Sequence, residues 1–176
     1  MNNTKKIALS SLMIALCSLF MLTSYFPYLT ISISFFAGIF IMVLVIEINK
    51  KWALLSYFVS AILVSLLAEP EAKLLYVVFF GYYPIIKSLF EGLKSRVLEY
   101  ILKFLIYNTA IVLAYTVIAE MFGVPLGDMN EFGKHTSLIL LIVANVLFPI
   151  YDIALSRVAA FYMIRLHDKV TKLLKI

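Results

Sequence analysis

The stretch EPEAKLLYVVFFGYYPIIKSLFE, Glu69 to Glu91, is long and apolar enough to cross a bilayer. It also carries Lys73, Lys87, three tyrosines and a Gly-Tyr-Tyr-Pro break at Gly81 to Pro84. A helix surrounded by lipid does not tolerate that load, because polar groups in hydrocarbon are costly. Lys73, Tyr76, Phe80, Tyr83 and Lys87 recur at spacings of three and four, which predicts one continuous helix face. That face belongs against protein or a water-filled cavity. Pro84 removes the amide that would bond the Phe80 carbonyl, and Gly81 lets the backbone bend there. The freed carbonyl then needs a hydroxyl or a water. Glu69, Pro70 and Glu71 suit a first helical turn, with acids at the positive end of the dipole and proline where no amide is needed.

The rest of the chain has the same character. Of 176 residues, 64% are hydrophobic and 14% charged, more apolar surface than a water-soluble domain of this size can hide. The expected fold is all-α: a single membrane domain over 1–176, with spans at about 7–26, 31–48, 52–68, 72–90, 98–122 and 136–164. The first run is too long for a signal peptide and is followed by no small-residue cleavage site. With the N-terminus inside, Lys5, Lys6, Lys50, Lys51, Lys94, Arg96, Arg165, Lys169, Lys172 and Lys175 all fall on the cytoplasmic side. Only Lys73 and Lys134 fall outside, while Lys87, Lys103 and Arg157 lie in or beside spans, toward their inner ends. The positive-inside rule therefore predicts a six-helix bundle with both termini cytoplasmic. This distribution accounts for the net charge of +5 without nucleic acid. The segment 123–135 reads as the one long outer loop, and RLHDKVTKLLKI as a basic tail running past the membrane toward anionic lipid.

Bond-making chemistry has no visible basis. There is no HExxH, no Gly-x-Ser-x-Gly and no phosphate-cradling glycine loop, so neither an enzyme nor an ATPase is expected. His135 and His167 fall on opposite sides of the membrane and share no metal. Cys17 is alone and reads as packing. No cofactor is implied.

On the first span, Ala8, Ser11, Ala15 and Ser18 keep one face small. In lipid such a face permits close helix approach, either within the chain or to a partner subunit. A short basic N-terminus, this alanine/serine face, six spans and an N-in/C-in layout resemble the S component of an energy-coupling factor transporter. The resemblance implies a cell-membrane protein, of a bacterium, that captures a vitamin or similar small solute near its outer face. It also implies docking through helix one, by an AxxxA-like pattern, on a transmembrane scaffold driven by two ATPases. Ser11 stands where the strict pattern has alanine. Two other readings remain: a ligand-free scaffold resembling the small membrane subunit of the rod-shape machinery, and a stand-alone small-solute transporter, although no inverted repeat shows.

For a solute pocket near the outer ends, the candidates are Tyr28 in the first outer loop, with Tyr25 and Phe26 beside it, and Lys73, Tyr76, Phe80 and Tyr83 on helix four. Helix five adds Tyr115, Thr116 and Glu120, and helix six Asn145. Aromatic walls with a few directional polar groups are what such pockets use, although interfacial tyrosines also serve as membrane anchors. Deeper in, Glu47, Lys87 and Asp152 lie about 16 residues, and Asn108 about 14, from the outer ends of their spans, a common level roughly 21–24 Å down. That coincidence predicts an intramembrane polar network. The competing expectation is ordinary pairing along each helix, Glu47 with Lys51 and Lys87 with Glu91.

Overall fold

The structure, a computed structural model, describes residues 2–26, 28–114 and 136–173. Among them the secondary structure is helical throughout: α1 Asn3–Leu22, α2 Thr30–Glu47, α3 Lys50–Leu67, α4 Pro70–Leu75, α5 Tyr83–Phe90, α6 Arg96–Leu113, α7 Thr136–Arg165 and α8 His167–Leu173. A π-helical turn, Tyr76–Phe80, links α4 to α5, so that Pro70–Phe90 forms one interrupted span. Among the described residues five helices are long and apolar enough to cross a membrane, Asn3–Tyr25, Thr30–Glu47, Lys50–Leu67, Pro70–Phe90 and Leu141–Arg165; the expected span 98–122 is not among them, and its second part lies outside the described residues. Large apolar side chains such as Leu55, Phe58, Ile62 and Leu66 on α3 stand exposed, a surface compatible with a membrane protein.

Local chemistry sets the helix ends. Asn49 caps α3 by accepting from the Trp52 amide at 2.9 Å. Glu69 caps α4 through the Ala72 amide, with Pro70 in the first turn as the sequence predicts. Ser95 caps α6. The ends meet in two sets. At one, the Ser24 hydroxyl accepts from the Glu69 amide at 3.1 Å, joining the end of α1 to the start of α4. At the other, Lys50 donates to the Ser88 carbonyl at 2.9 Å, and Glu47 meets Tyr162 and His167. This second set is called the basic end below. Leu166 interrupts the last helix, so the tail is not a straight extension of α7; Glu47 holds His167 at the start of a separate helix.

Without a hydrophobic drive between helices in lipid, association depends on close packing over small residues. α2 provides this with Ser34, Ala37 and Gly38, and α3 with Ala53, Ser56 and Ser60, all buried at helical spacing apart from the glycine's lack of a side chain. One cluster joins α1, α2, α3 and α4 around Cys17, Met21, Ile41, Leu44, Val64 and Tyr76. A second joins α2, α5, α6 and α7 around Phe79, Tyr83, Phe148 and Leu155.

The π turn lies between the clusters, and it breaks the face that the sequence predicts to be continuous. The Gly81 amide reaches back five residues to the Tyr76 carbonyl at 2.8 Å. One extra residue in the turn rotates everything after it by about 100° relative to a regular helix. Tyr76 consequently points to α1 and α3, and Tyr83 to α6 and α7. The backbone groups freed here find two solutions. The Tyr57 hydroxyl donates to the Val77 carbonyl at 2.6 Å. The Phe80 carbonyl, which Pro84 leaves without its amide, packs directly on Gly38, at the place where a Cβ would stand. The expected hydroxyl is therefore present but serves the neighbouring carbonyl. Tyr57→Phe is expected to cost about 1–2 kcal/mol by leaving Val77 unsatisfied. Thermal melting in detergent checks this; an unchanged midpoint means that the carbonyl finds another donor.

Candidate functional site

The charged side chains of α5, α6 and α7 converge at the basic end. Asp152, on α7 and buried, is the centre. One carboxylate oxygen accepts from the Tyr83 hydroxyl at 2.6 Å and from Lys87; the other accepts from Lys103 at 3.0 Å. Lys87 uses its remaining donors on the Asp152 carbonyl at 3.1 Å and on Glu91 at 2.8 Å. Lys103 bonds Glu99 one turn earlier at 2.7 Å and lies 3.7 Å from Glu91. Both ammonium groups are thus buried and hydrogen-bonded, Lys87 to two carboxylates and a carbonyl and Lys103 to two carboxylates, which helps charge survive away from water. Two ammonium groups against three carboxylates leave the cluster one negative charge in excess.

The predicted network is therefore half assembled. Lys87 and Asp152 do meet, across helices, and Lys87 also keeps its i+4 pair with Glu91. Asn108 does not join them: it exchanges two hydrogen bonds with Asn145, at 2.9 and 2.8 Å, between α6 and α7. Glu47 does not join either. It accepts from Tyr162 at 2.7 Å and pairs with His167 at 2.8 Å, tying α2 to the last two helices. Depth along a helix places these groups at one level, but the direction each faces around its own axis decides the partner. Lys103, Tyr83 and Glu99 complete the cluster and are absent from the sequence reading of it. Lys103 lies only five residues below Asn108 and four after Glu99, so depth and spacing both pointed to it.

The outer pocket candidates are dispersed. Tyr76 is fully buried in a chain of hydrogen bonds: Cys17 donates to it at 3.3 Å, and it lies 2.7 Å from Ser60, whose own hydroxyl donates to the Tyr57 carbonyl at 2.9 Å. Tyr83 is buried on Asp152, and Asn145 is engaged with Asn108. Tyr76 and Tyr83 therefore do not wall one pocket, for the rotational reason given above. Phe80 and Lys73 are half-buried, and Tyr28 is 98% exposed at a positive φ of 69°. Tyr115, Thr116, Glu120 and the loop 123–135 lie outside the described residues. Between α5, α6 and α7 the aromatic rings pack on one another: Tyr107 stacks on Phe148 at 4.4 Å, and Phe79 meets Tyr83, Tyr107 and Tyr151 at 4.7, 5.0 and 5.4 Å.

On α1, the small face divides. Ala8, Ser11 and Ala15 are exposed, whereas Ser18 is buried in the protein together with Cys17 and Met21. The helix thus packs on α2 and α3 with one side and leaves a shallow strip on the other. No family model, no curated protein and no solved structure matches this chain.

Proposed function

We propose that the protein is a six-helix membrane subunit with both termini cytoplasmic, acting as the substrate-capture subunit of a vitamin or micronutrient importer. In this reading α6, whose first two turns carry Arg96, Glu99 and Lys103, completes the bundle, and the basic end faces the cytoplasm by the positive-inside rule. Helix one docks on a transmembrane scaffold driven by two ATPase subunits, which supply the energy that this chain has no motif to provide.

The observation that carries the reading is the exposure of Ala8, Ser11 and Ala15. A strip of small residues turned away from the other described helices offers a backbone-close approach to another membrane helix. A ligand-free scaffold is the second reading, and the aromatic packing of Phe79, Tyr107, Phe148 and Tyr151 favours it, since those rings occupy space that a solute would need.

Ala15→Leu separates the two. The side chain is exposed, so the variant's stability should stay within about 0.5 kcal/mol of the parent's. Co-purification with scaffold and ATPase subunits from native membranes should fall by about tenfold or more, as lost packing of roughly 1.4 kcal/mol implies. Retained association, or purification without any such subunits, would overturn the importer reading.

A further inference from the structure

Beyond the buried Asp152 cluster, the same helices enclose an open cleft of about 460 Å³ at the basic end. Its floor is Lys103 and Asp152, and Lys94, Arg96 and Arg157 stand around it. These three cations are exposed and form no ion pair among the described residues, whereas Glu91, Glu99 and Asp152 are all engaged by Lys87 or Lys103. Three unpaired positive charges therefore face one excess negative charge, and the cleft as a whole is short of anionic partners. Guanidinium groups present planar paired donors that match phosphate oxygens.

The surroundings specify what carries the phosphate. Ile153 lines the cleft and is 57% exposed; Ile150 and Val146 continue its face along α7 at spacings of three and four, at 61% and 64%. A cationic cleft opening onto an apolar strip fits an amphiphile, with its head among the cations and its acyl chains along α7. A soluble anion would use the first part and not the second.

We propose that this cleft binds the phosphate headgroup of an anionic membrane lipid, held by Lys94, Arg96 and Arg157. The site is independent of whether the protein captures a solute. Basic pockets between helices on the side of a membrane rich in basic residues are suited to such headgroups.

The test is native mass spectrometry of the full chain, released from mixed micelles of phosphatidylglycerol and phosphatidylcholine with matched acyl chains. The parent should retain phosphatidylglycerol over phosphatidylcholine by about tenfold or more. Arg96→Gln/Arg157→Gln should abolish the preference, and Lys169→Gln/Lys172→Gln, which removes equal charge from α8, should keep it. Equal retention of both lipids by the parent overturns the proposal. So does equal loss in both double variants, which would mean diffuse surface charge. Displacement of phosphatidylglycerol by millimolar inorganic phosphate would mark a free-phosphate site and overturn it as well. Should the arginine variant fail to purify folded, the parent's preference and its resistance to phosphate decide the matter.

Discussion

Asp152→Ala is expected to lower the melting temperature in detergent by roughly 10 °C, from a loss of about 3–5 kcal/mol. The loss comes less from the removed contacts than from what they leave behind. Lys87 and Lys103 remain buried, now with Glu91, 45% exposed, and Glu99 as their carboxylate partners among the described residues, and the Tyr83 hydroxyl loses its acceptor. Lys87 and Tyr83 do not line the open cleft that Lys103 and Asp152 reach, so water does not readily replace their missing partner. Asp168 provides the comparison: it is exposed in the first turn of α8, so Asp168→Ala should change stability by about 0.5 kcal/mol or less. Asp152→Asn should fall between the two, keeping an acceptor while losing the charge. Equal melting temperatures for Asp152→Ala and Asp168→Ala would show that the cluster adds no net stability.

Gly38→Ala is the second large effect. A Cβ at this position collides with the Phe80 carbonyl oxygen, and that oxygen belongs to backbone already fixed by the π turn and by Pro84. No side-chain rotation relieves the overlap, so α2 and the fourth span must separate. Overpacking of this kind costs about 1–3 kcal/mol or more, against a gain of about 1 kcal/mol from replacing a helical glycine by alanine. Separation also removes the close contact of Ser34 with the Ala72 carbonyl, 3.1 Å away on the same interface. The net expectation is a loss of about 2 kcal/mol, read as a drop of roughly 5 °C. At Gly92 an added Cβ meets only the Leu89 carbonyl, at an ordinary 3.4 Å, and Gly92→Ala should leave the midpoint in place. If Gly38→Ala melts with the parent, the two backbones are not held together as described.

Much of the architecture was legible in the residues. Among the described residues, lengths of apolar chain located the helices within a few positions, while the end of the expected span 98–122 lies outside them. Glu69 and Pro70 marked a helix start, and Gly81 to Pro84 marked a break, because the backbone chemistry at those places is local. Lys87 and Asp152 shared a depth in the sequence, which left Glu47 equally open as the partner, and the structure pairs Lys87 with Asp152. Asn108 and Glu47 had the same depth and went elsewhere, and the three-and-four spacing of Tyr76 with Tyr83 was undone by a π turn.

The reason is a property of the solvent. In water, apolar periodicity tells which face of a helix turns inward, because inside and outside differ. In lipid both are apolar, and a helix such as α2, with no charged residue before Glu47, gives no such sign of its orientation. Sequence alone marked helices of membrane-crossing length, where they begin and break, and how far along each described helix its polar groups lie. Rotation about each helix axis was decided only in the tertiary structure, by close packing at Gly38 and by the pairing of groups such as Asp152 and Lys103 across α6 and α7.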